Sequence, residues 1–362
     1  MKILIISRNI FPTQSPRAFR TTELARELVR QGHEVTVYAL LGAYDYDSFQ
    51  HETGIVIKSL GKSKWGNVDS TGYYVRNVFT AFGNRVLKRY AYFPFIELMW
   101  MTKKVVKAEW KNYDLLITIA FPHSIHWGAA LAKGSKTNFV RWISDCGDPF
   151  MGDKMNRVPG YFKYVEKFWC RRTDFITVPI EAAIKAYYPE FQHKIRVIPQ
   201  GFDFSNTGPI NYEGNIYPTF AFAGKVYPGT RDPKLFLDYL SSIDIQFKFV
   251  VYTNTKGFFE PYKTRLGEKL EINSYIPREA LLPILGRMDF LINIVNDSDT
   301  QSPSKLIDYA IAKRPILDIS TSFKEKSVFN DFIKGDYRRE HGRIDISKYD
   351  IKRVAESFVS LK

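Results

Sequence analysis

The stretch GFDFSNTGPINYEGNIYP, residues 201–218, divides the sequence into two parts. It is rich in glycine, proline and asparagine and has no hydrophobic periodicity, which indicates a linker. Runs rich in β-forming residues start again directly after it with TFAFAGK (219–225), FKFVVYT (247–253) and RPILDIS (314–320). Helical segments separate these runs, and such an alternation is typical of α/β domains with a parallel sheet. The second part of the chain is therefore predicted to be one such domain.

The first part of the chain shows the same alternation. KILIIS (2–7) predicts a first strand, and HEVTVYAL (33–40) predicts the next one. Between them, RTTELARELVRQ (20–31) has its apolar residues on one helical face and is followed by Gly32, a natural helix stop. The first part is therefore predicted to be a second α/β domain of the same kind.

Length and pattern together predict the domain organisation. A chain of 362 residues is too long for one ordinary core and suits two domains. Residues 1–205 are predicted to form a first Rossmann-like domain and residues 206–345 a second one. The remaining segment, 346–362, has a helical pattern and could fold back on the first domain.

Composition restricts the partners and the compartment. The formal net charge of +14 favours anionic partners, which include nucleic acid, acidic phospholipid and phosphorylated small molecules. No helix-turn-helix, zinc-finger, RRM or KH signature is present, so we do not expect nucleic acid. The only cysteines, Cys146 and Cys170, fit a reducing compartment. The first apolar run reads as a strand rather than a signal peptide, and we expect a cytoplasmic protein, soluble or peripheral to a membrane.

Two common nucleotide-binding fingerprints are missing from the sequence. There is no GxGxxG after the first strand and no GxxxxGK[ST] anywhere. Dinucleotide enzymes and P-loop NTPases are therefore not expected. A double Rossmann chain without either motif resembles the GT-B arrangement, which implies two domains that face each other across a cleft that holds the ligand.

The polar segment NDSDTQSPSKLIDYAIAKRPILDIS, residues 296–320, contains a helix start that suits an anion. Ser302 is a good N-cap and Pro303 a good first helical residue. Lys305 then lies in the first turn, where the helix dipole disfavours a cation unless an anion binds there too. A nucleotide phosphate would satisfy both the lysine and the helix terminus. An ordinary capped helix with a solvated lysine explains the spacing equally well.

The same segment resembles a known family. SPSKLIDYAIAKRPIL is similar to the PSKLxEYxAxGxPIL segment of family 4 glycosyltransferases, whose second domain carries two glutamates separated by seven residues. Asp308 takes the place of the second glutamate, which binds the ribose of the nucleotide, and Ser304 lies one helical turn before it, where phosphate contacts are expected. Thr300 takes the place of the first glutamate, so the carboxylate that faces the donor sugar in the family is missing here.

A second segment resembles the diphosphate-binding part of the family. FAGKVYPGTRDPKLFLDYL (222–240) is similar to GSxYxGRxDPxxLLxAL, in which basic residues after the glycine neutralise the donor diphosphate. Gly224, Lys225 and Arg231 are the matching residues. Fixed cations at this place would stabilise the charge of a departing nucleoside diphosphate. Solvent exposure is the alternative for each basic residue taken alone.

A third segment resembles the base-binding part. LEINSYIPREALLPILGRMDFLI (270–292) is similar to LGYVPxEELPxLLxxADVLI, in which backbone groups hold the base. The resemblance assigns this role to Tyr275 and Ile276. A strand, a turn and a helix without any ligand contact remain the alternative.

The start of the first domain resembles the family as well. SRNIFPTQSPRAFRTTELARELVRQGHEVTVYAL (7–40) is similar to an opening loop followed by RxxELAxxLxxxGHEVxV. That loop faces the cleft in the family, so Arg17 and Arg20 are candidates for the acceptor side of the cleft. For Arg20, a structural role at the start of the helix is the alternative.

PHSIHWGAALAKGSKTNFVRWISDCGDPF (122–150) is similar to PxSSHLAALxLxxxxxxPWVADFRDPW. His126, Asp145 and Asp148 match residues that the family places near the acceptor side of the cleft, whereas Gly147 replaces the usual arginine. A lone histidine is more often structural than catalytic. The family pattern nevertheless favours a place for His126 in the cleft.

The segment NRVLKRYAYFPFIELMWMTKKVVKAEWK, residues 84–111, mixes lysine and arginine with aromatic and long aliphatic residues. Basic side chains favour an anionic leaflet, and tryptophan and tyrosine favour the membrane interface. The segment is therefore a candidate for contact with an anionic membrane surface. A core helix with a solvated basic flank is the alternative.

Taken together, the resemblance implies a retaining glycosyltransferase that moves a sugar from a nucleoside diphosphate sugar, with a UDP-sugar favoured, to a glycan or lipid-linked acceptor in surface polysaccharide synthesis. Lys225, Arg231 and His126 are the residues assigned to catalysis. No metal is expected, because the family does not use the loop that holds Asp297 and Asp299 for a metal ion. A nucleotide-sugar 2-epimerase and a catalytically silent GT-B subunit that binds a glycan or partner enzyme are the alternatives.

Overall fold

In a computed structural model of the chain, the residues described are 1–63, 86–136, 138–153, 158–204, 212–295, 304–341 and 345–361. Contacts divide the chain into two compact units. The first unit is Met1–Asp203 together with Lys348–Lys362, and the second unit is Phe204–Ser347. The chain thus leaves the first unit once and returns to it at its end.

The first unit is built on a seven-stranded sheet in the order β3-β2-β1-β4-β5-β6-β7. Every pair of neighbouring strands is parallel. The central strands are almost entirely apolar because helices cover both faces of such a sheet. The strands are β1 (Lys2–Ile6), β2 (Glu34–Ala39), β3 (Val56–Ser59), β4 (Leu115–Ala120), β5 (Arg141–Cys146), β6 (Phe175–Val178) and β7 (Ile195–Val197).

The helices of the first unit follow the strands in the usual alternation. They are α1 (Pro16–Arg30), α2 (Tyr46–Thr53), α3 (Glu97–Glu109), α4 (Ser124–Lys133), α5 (Phe162–Arg172), α6 (Pro189–Gln192) and, from the end of the chain, α12 (Ile351–Ser360). Helix α12 packs on α1. Its residues Ile351, Val354 and Phe358 recur at helical spacing and are buried in the same apolar cluster as Leu24 and Leu28.

Helix α1 begins four residues before the start predicted from the apolar pattern. The hydroxyl of Ser15 accepts a hydrogen bond from the N–H of Ala18 at 3.2 Å, and Pro16 occupies the first helical position. This cap extends the helix into a polar turn that carries no hydrophobic periodicity. Arg17 and Arg20 consequently both lie inside the helix.

The second unit holds a five-stranded parallel sheet in the order β10-β9-β8-β11-β12. Its strands are β8 (Thr219–Ala223), β9 (Lys248–Tyr252), β10 (Leu270–Asn273), β11 (Phe290–Ile294) and β12 (Ile316–Ile319). Its helices are α7 (Lys234–Leu240), α8 (Glu260–Leu266), α9 (Arg278–Gly286), α10 (Ser304–Ala312) and α11 (Lys326–Ile333). Phe220 on the central strand stacks on Phe249 and Phe290, with ring centroids 5.0 and 4.7 Å apart.

In each sheet the chain order reverses at one place. From β8 the chain moves outward to β9 and β10 and then resumes on the other side with β11, so the reversal lies between β8 and β11. In the first unit it lies between β1 and β4. Open α/β sheets bind ligands beyond the carboxyl ends of the strands at such a reversal. Among the residues that the structure describes, none of the helices has the length and apolar character needed to cross a bilayer.

Candidate functional site

At the reversal in the second unit, β8 ends in a loop set by Gly224. Gly224 has a φ of 150°, a conformation that side chains rarely allow. Its N–H donates to the carbonyl of Tyr252 at 2.8 Å, which holds the turn against β9. Lys225 follows with an exposed side chain. The loop therefore provides an accessible ammonium group directly after the central strand.

Arg231 is a buried cation in the same loop. Only 9% of it is exposed, and its backbone pairs with Tyr227 in a short hairpin. Burial lowers the pKa of its guanidinium, and the neighbours that oppose this are the hydroxyls of Tyr227 and Tyr309 rather than a carboxylate. In the part of the chain that the structure describes, its Nε is buried without a hydrogen-bond partner. A bound anion would satisfy this group.

Tyr309 fastens helix α10 to the carboxyl ends of the two strands at the reversal. Its hydroxyl accepts from the N–H of Ala223 at 2.9 Å and donates to the carbonyl of Ile292 at 3.1 Å. The side chain is fully buried, and burial raises the pKa of the phenol. This role of Tyr309 was not predicted from the sequence. Its signal was its place directly after Asp308 in the segment that resembles the family.

Asp308 forms an ion pair with Arg278 that was also not predicted from the sequence. Its Oδ1 lies 2.5 Å from Nε of Arg278, which is the first residue of α9. Burial raises the pKa of Asp308, and the charge of Arg278 opposes this without reversing it. Both side chains keep some exposure, 21% for Asp308 and 26% for Arg278. The carboxylate is therefore held in place and remains accessible to a ligand.

The remaining predicted donor residues are placed as follows. Strand β10 ends at Asn273, earlier than the apolar run suggests, and Tyr275 and Ile276 lie in the loop that follows. Tyr275 is 61% exposed, whereas Ile276 packs partly against the apolar cluster of this face. Helix α10 begins at Ser304.

The helix start predicted to bind an anion is described only from Ser304 onward. Ser304 and Lys305 stand in the first turn of α10, and only their backbone is described. Asp297, Asp299, Thr300, Ser302 and Pro303 lie outside the described residues.

In the first unit, Arg20 and Asp145 form a buried ion pair. Nε and Nη2 of Arg20 donate to the two carboxylate oxygens of Asp145 at 3.2 and 3.0 Å. Arg20 also donates to the carbonyls of Ile198 and Pro199, which joins α1 and β5 to the segment after β7. Burial acts to raise the pKa of Asp145, but the charge and hydrogen bonds of Arg20, together with Arg17 and Thr177, oppose it and the pKa is lowered. Both residues are 2% exposed, which matches the structural alternative for Arg20 and leaves little surface for an acceptor.

Arg17 lies over Gly147. A Cβ atom at position 147 would overlap the guanidinium of Arg17. Nη1 of Arg17 is 3.9 Å from Asp145, whose oxygens are already bonded to Arg20 and Thr177, and its side chain is 24% exposed. The guanidinium of Arg17 thus occupies the space beside the residue at which the family carries an arginine. The absence of a side chain at 147 makes room for it.

His126 and Asp148 have opposite environments. His126 is fully buried, with Nδ1 2.8 Å from Oγ1 of Thr118 and Nε2 3.3 Å from Sγ of Cys146. Burial, and after it the neighbouring His123, lowers the pKa of His126 far below its usual value. Asp148 is exposed. Within the first unit, the accessible candidates are therefore Arg17 and Asp148 rather than His126.

Comparisons with known proteins agree with this architecture. Residues 19–206, more than half of the chain, match Glycosyltransferase Family 4. No curated protein sequence matches the chain.

Several solved structures share the fold. A glycosyltransferase from Rickettsia africae has a TM-score of 0.64 and 12% identity, with 99% of this chain and 96% of that chain covered. HepE from Anabaena in complex with UDP and glucose has a TM-score of 0.58 and 9% identity, with 99% and 98% covered. The lipopolysaccharide outer core galactosyltransferase WaaB has a TM-score of 0.56 and 11% identity, with 99% and 95% covered. At these identities, the similarity shows a GT-B fold.

Proposed function

The chain belongs to glycosyltransferase family 4, and on that premise we propose that it moves a sugar from a nucleoside diphosphate sugar to a glycan or lipid-linked glycan acceptor. A UDP-sugar is the favoured donor, and the transfer retains the configuration at the anomeric carbon. HepE, a relative of the same fold, was solved with UDP and glucose, which supports the choice of donor. WaaB, another such relative, is a lipopolysaccharide galactosyltransferase, which supports a role in surface polysaccharide synthesis.

The observation that carries this proposal is the guanidinium of Arg231. It is buried, its Nε has no partner among the described residues, and it lies in the loop that follows the central strand at the chain reversal. Burying a cation is costly unless an anion pairs with it. A nucleoside diphosphate carries such an anion. Its charge grows as the glycosidic bond breaks, so a fixed cation stabilises the transition state more than the bound donor.

Other residues complete the donor site in this proposal. Lys225 in the loop after β8 and Lys305 in the first turn of α10 add cations. Asp308, held by Arg278, accepts hydrogen bonds from the ribose hydroxyls. Three cations meet the charge of the leaving diphosphate, so we assign no metal ion to the transfer. His126 is not assigned a part in the reaction, because its ring is buried and bonded within the first unit.

The acceptor side is proposed from the first unit. The outer face of α3 carries Trp100, which is 58% exposed, and the lysines 103, 104 and 107. Its inner face is buried through Leu98, Thr102 and Val106. A packed helix that exposes an aromatic ring and several cations suits contact with an anionic leaflet. The enzyme is therefore proposed to work at the inner face of the cell membrane, where a lipid-linked acceptor is within reach.

One experiment separates this proposal from its alternatives. The purified chain is incubated with radiolabelled UDP-sugars and a lipid extract that contains diphosphate-linked acceptors, and the products are separated and identified. Glycosylated lipid with an unchanged anomeric configuration is the expected product. Free 2-epimerised sugar together with UDP would indicate an epimerase. Nucleotide binding without any product across the donors would indicate a silent subunit.

A further inference from the structure

Three side chains with metal-binding atoms meet in the interior of the first unit, outside the proposed donor site. His123 and His126 are one helical turn apart at the start of α4, and Cys146 is the last residue of β5. One ligand atom from each of the three lies within 4.8 Å of the others, and all three residues are buried. We call these residues the His-His-Cys cluster.

The ring of His126 is oriented as a metal ligand usually is. Its Nδ1 lies 2.8 Å from Oγ1 of Thr118, which also accepts a hydrogen bond from the indole N–H of Trp142 at 2.8 Å. Metal-binding histidines generally donate their second ring N–H to an oxygen, which sets the tautomer and directs the other nitrogen at the ion. Here the other nitrogen, Nε2, points at Sγ of Cys146, 3.3 Å away.

That separation is close to the one expected between two ligands of one ion. With zinc bonds of about 2.0 Å to nitrogen and about 2.3 Å to sulfur, tetrahedral geometry places the two ligand atoms roughly 3.6 Å apart. A hydrogen bond from Nε2–H to the sulfur is the other arrangement that gives such a distance. The third residue distinguishes the two arrangements.

His123 provides the independent observation. Its Nδ1 is buried and has no hydrogen-bond partner in the part of the chain that the structure describes, and 4% of the residue is exposed. Buried polar atoms are rarely left unpaired, and each such atom calls for an explanation. A hydrogen bond between His126 and Cys146 leaves this nitrogen unsatisfied. An ion bound through this nitrogen would satisfy it.

The chemistry of the three groups agrees on the kind of ion. Neutral imidazole is the form that binds a metal, and both rings lie in the buried interior of the unit. Two nitrogens and one thiolate sulfur suit zinc, which binds such ligands in tetrahedral geometry. We propose that His123, His126 and Cys146 bind one zinc ion that ties the start of α4 to the end of β5.

This ion is distinct from the transfer chemistry, to which we assign no metal. On binding, the zinc ion replaces the proton of the Cys146 thiol, and that proton is released to solvent. The role is structural, because the three residues are buried together inside the first unit.

The test uses the full chain and cobalt(II) as a spectroscopic probe for zinc. Protein stripped with a chelator is titrated with cobalt chloride, and the absorption spectrum and the metal content are measured. We expect one ion per chain and a charge-transfer band from thiolate to cobalt. Zinc chloride should displace the cobalt and raise the midpoint of thermal unfolding.

The chain offers a matched control for the thiolate. Cys146→Ser should abolish the band, whereas Cys170→Ser, at the other buried free cysteine, should keep it with the same stoichiometry. If Cys146→Ser does not fold, the titration of wild type and Cys170→Ser decides alone. Substoichiometric cobalt, a spectrum without a thiolate band, or a band lost in Cys170→Ser would overturn the proposal and leave a hydrogen bond between His126 and Cys146.

Discussion

At the residue scale, the donor site is defined by charges whose partners are missing or shared. Among the residues that the structure describes, no carboxylate opposes the effect of burial on the pKa of Arg231. Asp308 is held by Arg278 and still partly exposed. Folding alone favours neither arrangement, because burying a cation without an anion and holding a carboxylate partly out of water both cost free energy. A nucleotide with a diphosphate and a ribose supplies what each of them lacks.

Replacing the cations of the β8 loop should slow the transfer. We expect Arg231→Ala and Lys225→Ala each to reduce kcat/KM at least tenfold, since a loss of about 1.4 kcal/mol of transition-state stabilisation is sufficient. Initial rates with the donor identified above provide the measurement, and circular dichroism reports the fold. Lys234→Ala, an exposed lysine of the same unit, should have no effect. Normal rates in both folded variants would remove these residues from the donor site.

The ribose contact of Asp308 can be isolated by changing the ligand as well as the protein. We expect Asp308→Asn to weaken UDP binding by about tenfold or more, because a hydrogen bond to a charged group contributes roughly 1.5–3 kcal/mol. The same substitution should leave the affinity for 2′,3′-dideoxyuridine diphosphate unchanged. Arg278→Met should follow the same pattern more weakly, because Arg278 only positions the carboxylate. Calorimetry measures the affinities of the wild type and of both variants for the two nucleotides. An equal loss of affinity for both nucleotides would contradict a ribose contact.

The buried pair of Arg20 and Asp145 makes a different prediction, about stability and pH. Arg20→Met should lower the free energy of unfolding by about 3–5 kcal/mol at neutral pH, because it leaves the buried Asp145 carboxylate with only Thr177 and the more distant Arg17. The folded-state pKa of Asp145 is lowered, so its contribution is present above the unfolded pKa and is lost as the pH falls through the folded pKa. The difference between wild type and variant should therefore shrink in acid.

Urea unfolding at several pH values provides this measurement. Arg26→Met is the matched control on the same helix, because Arg26 pairs with the partly exposed Glu23. It should cost about 1 kcal/mol or less. A difference between wild type and Arg20→Met that stays constant down to acidic pH would show that the charge of Asp145 does not depend on Arg20.

At the element scale, the local hydrophobic pattern predicted the helices and strands, whereas contacts between residues that are distant in sequence were not predicted. The alternation of apolar runs and helical faces predicted two parallel α/β units, and the structural neighbours share that fold. Pairing between distant elements left no local signal. The contact of Arg278 with Asp308 joins the start of α9 to the middle of α10. Arg17 on α1 reaches Gly147, directly after β5. Burial was equally hidden, because the motif that contains His126 does not reveal that its ring points into the core.

The crossing of α3 and α4 gives a prediction at this scale. A Cβ atom at Gly128 would overlap the carbonyl oxygen of Met99 and lie 2.7 Å from Cβ of Thr102. Gly128→Ala should therefore lower the free energy of unfolding by about 1–3 kcal/mol, although alanine favours a helix. Gly42→Ala is the control, since nothing lies within 4 Å of its Cβ position. Chemical denaturation measures both, and a neutral Gly128→Ala would show that the two helices separate without cost.

At the scale of the whole molecule, the net charge of +14 needs a partner. Many of the cations lie in the first unit, which includes the C-terminal helix α12. Residues 84 and 85, at the start of the segment proposed for membrane contact, lie outside the described residues, but α3 is described completely. The inner face of α3 is buried in the core, as the alternative of a core helix with a solvated basic flank also predicts. Its outer face carries Trp100 with Nζ of Lys103 5.0 Å from the centre of the ring.

This outer face predicts salt-dependent binding to anionic membranes. Each lysine near such a surface contributes about 1 kcal/mol, so replacing Lys103, Lys104 and Lys107 with glutamine should weaken vesicle binding roughly 100-fold. High salt should have a similar effect on the wild type, because the distance over which charges act falls from about 10 Å at 0.1 M salt to about 3 Å at 1 M. Co-sedimentation with phosphatidylserine vesicles and with neutral vesicles, at low and high salt, measures both effects.

The control for this prediction must change the net charge by the same amount elsewhere. Lys234, Lys324 and Lys334 are exposed in the second unit, and their replacement with glutamine should leave binding largely intact. UDP affinity should be unchanged in both triple variants, because none of the six lysines belongs to the proposed donor site. Equal losses in the two variants would mean that the membrane responds to total charge. Binding that ignores lipid charge would mean that α3 is only a core helix, and that the acceptor does not need a membrane to reach the enzyme.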